Sequence, residues 1–216
     1  MTVYCVDVQA VLLAPKLNVS KVYYKIKLKF HNFTSYDLVT RHGRCYLWDE
    51  VNGGLEAEAF ASLYSDLINT EFQRSEINLT KIVLWSNGCC YQNRNQVVAN
   101  AILHCAVTLG IVIEHKYLEH GHTFMEVDSE HSVIERKIQK KDYIYIPAEY
   151  VSIIESARKN LGLYEVHSRN YNFFKDYSKI QYYSSIRPGN RDGDSIVNDI
   201  RCLKYNPNGT IEYIVR

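Results

Sequence analysis

Hydrophobic positions change their spacing near residue 55. Upstream they alternate or run continuously, as in strands; downstream many recur at helical spacing. The apolar run 3–8 is interrupted by Asp7 and predicts a buried strand with one acid near its C-terminal end. Residues 14–18 contain Pro15 and predict a loop. Between residues 22 and 33, Val22, Tyr24, Ile26, Leu28 and Phe30 fall on one side; Lys21, Tyr23, Lys25, Lys27 and Lys29 fall on the other. This is the pattern of a half-buried strand with a basic outer face. His42-Gly43 predicts a turn, and residues 44–49 a third strand. Connections this short predict antiparallel neighbours.

Asn52-Gly53-Gly54 breaks the pattern. Phe60, Leu63, Tyr64, Leu67 and Ile68 then repeat at helical spacing across residues 55–70. Glu56 and Glu58 open that helix, where acids complement its dipole. Residues 81–85 predict a continuous apolar strand ending in Ser86-Asn87-Gly88. Residues 95–109 predict a helix, 111–117 a strand, and 121–140 a third helix opened by Gly121-His122-Thr123. An edge strand at 143–146 and a helix at 147–160, begun by Pro147, follow. Beyond them only short strands such as 211–215 and long loops near Pro188 are expected. The order β-β-β-α-β-α-β-α predicts an α/β fold: three antiparallel strands, then α-β-α-β-α, in a mixed sheet with helices on both faces. Residues 1–160 form the expected domain, and 161–216 an extension packing on it.

Composition then narrows the class. With 46% hydrophobic residues over 216 positions, the chain can bury a sizeable core and is not disordered. No apolar run reaches the ~20 residues of a membrane span. The first residues lack the basic and apolar regions of a signal peptide, so an intracellular location with no membrane partner is expected. Six irregularly spread cysteines predict reduced thiols. A net charge of +1 makes no global case for nucleic acid, so such a case must rest on local patches.

The candidate chemistry is acidic. Asp7 ends the first strand, Asn87 follows the strand at 81–85, and Asp128, His131 and Glu135 share one face of the third helix. Glu126 points elsewhere by the same geometry. Two strands and a flanking helix can each supply one ligand to a divalent ion, as two-metal phosphoryl transfer requires.

Three blocks carry a resemblance: Val6-Asp7-Val8-Gln9, the stretch from Trp85 to Asn95, and the stretch from Gly121 to Arg136. They resemble DUF7869, a domain of invertebrate proteins that look transposon-derived. Its middle block usually reads Ser-Asp-x-Cys-x-Gly-Gln-Asn-Arg-Asn. The resemblance covers about residues 1–160. The element order is similar to that of the ribonuclease H-like fold of integrases and DDE transposases. Together these imply a nuclease-like domain in which Asp7, residue 87 and Asp128 hold Mg2+ or Mn2+. Glu135 and His131 are further catalytic candidates, and water or a 3′-hydroxyl would attack a phosphodiester of DNA or RNA.

This chain departs from that pattern where it matters. Asn87 stands where the family has aspartate, and Tyr91 where it has glycine. An uncharged amide in place of a carboxylate implies a compromised site. Asn87 also precedes Gly88, a pair prone to deamidate, so a fraction of chains can regain the acid. The alternative is a non-catalytic module that binds nucleic acid or protein on the same fold.

Other signals stay open between two meanings. Gln92, Asn93, Arg94 and Asn95 open a helix, where they either cap it or contact a substrate phosphate. His122 is expected to line the cleft of the metal site and contact substrate. His115, His120 and His122, with Cys89, Cys90 and Cys105, match no zinc spacing. Residues 158–191 interleave basic and aromatic side chains, which suits either a nucleic-acid surface or aromatics packed on a core.

Overall fold

A computed structural model describes residues 1–17, 27–75, 79–119, 121, 124–160 and 162–215. Lys21 to Ile26 of the alternating segment, together with His120, His122 and Thr123, lie outside the described residues. The strands are β1 (Thr2–Val8), β2 (Leu12–Ala14), β3 (Leu28–Asp37), β4 (Gly43–Asp49), β5 (Lys81–Ser86), β6 (Val112–Tyr117), β7 (Glu165–Ser168), β8 (Ile200–Tyr205) and β9 (Ile211–Val215). The helices are α1 (Ala57–Arg74), α2 (Gln96–Leu109), α3 (Glu126–Gln139) and α4 (Pro147–Glu155). The class is α/β with mixed strand pairing, as the alternation of periods indicates.

The chain forms two compact units of interleaved segments. The first comprises Met1–Tyr4, Leu55–Thr123 and Phe173–Arg216. In it β5 and β6 pair in parallel, from Lys81↔Val112 to Ser86↔Tyr117. β8 lies antiparallel to β6 and to β9. Helix α1 packs on α2. Phe60, Leu63, Leu67, Ile82, Leu84, Val98, Ile102 and Ile113 are buried here, which accounts for the helical and continuous apolar patterns.

The second unit comprises Cys5–Gly54 and Phe124–Asn172. Here β3 pairs antiparallel with β2 and β4, while β7 adds in parallel to β4. Phe30, Cys45, Leu47, Ile134, Ile138, Tyr150 and Ile154 form its core. Strand β1 is divided, its first residues counting with one unit and Cys5–Val8 with the other. Residues 161–216 are divided too: β7 belongs to the second unit, and β8 and β9 to the first.

Several elements differ from expectation: the strand expected to end at residue 33 runs to Asp37, and the helix expected to end at residue 70 runs to Arg74. Helix α3 starts at Glu126, because the Asp128 carboxylate accepts the Met125 N–H at 2.6 Å and caps the helix there. The segment 143–146 is not a strand; it makes a single bridge, Ile144 to Lys16. Helix α4 does begin at Pro147 but ends at Glu155. No described helix is long and apolar enough to cross a membrane.

Candidate functional site

The candidate residues fall in both units. In the first, Ile82, Val83 and Leu84 bury β5 from both faces and deliver the chain to Asn87. Asn87 Oδ1 accepts the Cys89 N–H at 3.1 Å and the Asn93 side-chain amide at 2.7 Å. Asn93 is buried and held in turn: its Oδ1 accepts from the Tyr64 hydroxyl at 2.9 Å, and its backbone carbonyl from the Tyr117 hydroxyl at 3.4 Å. His115 completes the network between the Ser86 hydroxyl at 2.8 Å and the Tyr117 hydroxyl at 3.3 Å.

Burial, and then the nearby Arg94 charge, push the His115 pKa down to about 3. The imidazole is therefore neutral at physiological pH. Burial raises the Tyr117 phenol above its ordinary range. The seat around Asn87 is thus made of amides, hydroxyls and a neutral ring, in the regime where unpaired buried polar groups are costly.

Arg94 closes this seat. Its guanidinium lies over the Tyr117 ring at 4.6 Å and donates to the Asn198 carbonyl at 2.8 Å. A Cβ built on Gly88 would stand 2.2 Å from Arg94 Nη2, so the glycine is required by close approach of the guanidinium. Arg94 is 4% exposed and its charge is partly desolvated. Asn95 caps α2 by accepting the Val98 N–H at 3.0 Å, while Gln92 is half-buried. Of the four polar residues that open the helix, Asn95 alone carries the capping role, and Asn93 and Arg94 are built into the interior.

In the second unit Asp7 lies half-buried near the end of β1. Burial, then the Asp128 charge, push its pKa up to about 6, against a hydrogen bond at 2.8 Å from the Val8 N–H. Asp128 is half-buried at the start of α3 and occupied by its capping bond. His131 is buried, with Nε2 lacking a hydrogen-bond partner among the described residues. Burial lowers its pKa to about 4, against the Asp128 charge. Glu135 is exposed.

Glu126, the first residue of α3, accepts a hydrogen bond from the Cys5 thiol at 3.4 Å. Burial, then Glu126, push that thiol up to about 12. The second unit therefore brings Cys5, Asp7, Glu126, Asp128 and His131 into one electrostatic neighbourhood. Of these five, helical spacing selects Asp128 and His131, and the apolar run around it selects Asp7. The partners of Asn87 were out of reach of either signal: Tyr64 and Tyr117 sit in apolar stripes, and nothing local marks their hydroxyls.

The donor set can be tested against a divalent ion. Among the described residues, no group of three or more histidine, cysteine or acidic side chains is placed to hold one. Asn87 brings no charge, and its Oδ1 already accepts two hydrogen bonds. As it stands, this oxygen does not suit a hard cation, which favours charged oxygen ligands with lone pairs to give. No family model matches the chain, and neither a curated protein nor a solved structure matches it.

Proposed function

We propose that the chain is a ribonuclease H-like domain descended from a transposase- or integrase-type nuclease, with its metal site disarmed at Asn87. One observation carries the reading. The strand end holds a preorganised seat for a hydrogen-bond acceptor, and that seat suits a carboxylate as well as the amide that fills it. Backbone and amide N–H groups at 2.7–3.1 Å are the donors a carboxylate uses. The element order and the parallel β5–β6 pair support the fold part of the reading. Asp7, held up to about 6 by burial and Asp128, supports an acidic function in the second unit.

On this reading Asp7, residue 87 and Asp128 are the ancestral ion ligands, with Mg2+ or Mn2+ as the ion and DNA or RNA as the substrate. Replacing one of three carboxylates by an amide leaves affinity too low for turnover. The test compares the natural chain with Asn87→Asp. Thermal stability and nicking of supercoiled DNA are followed together as Mn2+ or Mg2+ is added. An ion that binds only the native state raises stability by RT ln(1 + [L]/Kd). Metal-dependent stability and nicking are expected in Asn87→Asp alone. A response from neither protein overturns the nuclease descent. DNA binding without cleavage by both favours the non-catalytic module.

A further inference from the structure

The chain contains three Asn-Gly pairs, Asn52-Gly53, Asn87-Gly88 and Asn208-Gly209, and only one of them is built to react. In deamidation the glycine backbone nitrogen loses its proton and attacks the asparagine Cγ. Ammonia leaves, a succinimide forms, and water opens it to aspartate or isoaspartate. The step is favoured by an available glycine N–H, donors on the asparagine Oδ1 to take up developing negative charge, and a cation beside the nitrogen that deprotonates.

Asn87-Gly88 has all three. The Gly88 N–H donates to no partner among the described residues. Asn87 Oδ1 accepts the Cys89 N–H at 3.1 Å and the Asn93 amide at 2.7 Å, which polarises the carbonyl under attack as an oxyanion hole does. The Arg94 guanidinium packs directly on Gly88. Asn87 is half-buried rather than sealed, so water reaches the succinimide.

The other pairs differ. The Gly53 N–H is bonded to the Asp49 carbonyl at 3.2 Å, and the Asp49 carboxylate accepts from the Asn52 amide at 2.8 Å, so an anion rather than a cation stands there. Asn208 Oδ1 accepts from the Thr210 N–H and hydroxyl, but the Gly209 N–H is bonded to the Asn206 carbonyl at 3.0 Å. No side chain approaches Gly209 within 4 Å of a built Cβ.

We propose that Asn87 is a self-modification site, converted to an acid by the Gly88 nitrogen with water as the only co-reactant. Where the succinimide opens to aspartate, the product carboxylate keeps the oxygen that accepts the Cys89 and Asn93 donors. The conversion stands on its own chemistry; only its consequence, restoring an ion ligand, rests on the proposed nuclease descent.

The test ages the full-length protein under native conditions in H2(18)O and digests it with trypsin. The peptide 82–94 carries Asn87 between Lys81 and Arg94. Gain of acid and of heavy oxygen at Asn87 is expected several-fold faster than at Asn52 and Asn208. In concentrated urea the three rates are expected to converge, which needs no variant. Arg94→Gln is expected to slow Asn87 several-fold, and Arg94→Lys to restore much of the rate. An Asn87 that stays unconverted while Asn208 converts overturns the inference, as does a native rate no faster than the rate in urea. If the aged protein carries the acid yet gains no metal-dependent stability or nicking, the inference stands and the nuclease reading fails.

Discussion

The two units handle buried polarity in opposite ways. Around Asn87 the first unit uses neutral groups, Ser86, Asn93, His115, Tyr64 and Tyr117, each hydrogen-bonded to another, together with the Arg94 guanidinium. In the second unit Cys5, Asp7, Glu126, Asp128 and His131 act on one another electrostatically, and each of Cys5, Asp7 and His131 is displaced from its ordinary pKa chiefly by burial. A satisfied neutral network is intolerant of deletion and responds to pH only in acid, through His115. A cluster of displaced titrating groups is the reverse: deletion can relieve it, and pH moves it. The difference is that a buried dipole can be fully paired by its neighbours, whereas a buried charge always costs desolvation.

The sharpest way to break the contrast is Asn93→Ala. It leaves the Tyr64 hydroxyl and the Asn87 amide oxygen each short of a partner. A loss of about 3 kcal/mol is expected from unsatisfied buried groups. Urea unfolding at neutral pH measures it, and a loss within experimental error would show the network to be unimportant to stability.

Asp7→Asn is expected to act the other way. An acid with a raised folded pKa binds its proton more tightly folded than unfolded. Its contribution therefore falls as pH rises between 3.8 and about 6, and the cost is complete at neutral pH. Removing the charge is expected to raise stability by about 2 kcal/mol at neutral pH and to have little effect at strongly acid pH. The histidines oppose this trend. Both have lowered folded pKa values, so stability falls as pH drops below 6.5, over a window reaching about 4 for His131 and about 3 for His115. Imidazole NMR titration is expected to show both rings neutral at pH 6. A ring that titrates near 6.5 would remove the contrast between the units.

The smallest effect is expected at Glu126→Gln. Burial is the larger cause of the Cys5 shift and Glu126 the smaller, so the variant lowers the thiol pKa without bringing it to an ordinary value. Alkylation rate against pH reads this directly, and a fully ordinary Cys5 would mean that the carboxylate, not burial, dominates.

Part of this was legible in the residues. The switch of period near residue 55 marks where strands give way to helices, and the apolar runs at 82–84 and 98–106 become the buried β5 and the inner face of α2. Asp7 stood out because an acid inside an apolar run has to be accounted for. Helix α3 starts five residues after Gly121, since Gly121 and Thr123 look like a helix opening while the capping group is Asp128, inside the helix. Strand β7 was missed because Glu165–Ser168 is short and polar and becomes a strand only by pairing with β4.

The sequence by itself determined the α/β class, the placing of most elements, the acid in β1 and the amide at position 87. Only the tertiary structure decided that Asn93 and Arg94 face inward to hold Asn87 and Gly88, and that His115 stays neutral between Ser86 and Tyr117. Periodicity records which side of an element is buried, because burial is averaged over many residues. Hydrogen-bond partners are set by single side chains far apart in the chain, and no local pattern carries their addresses.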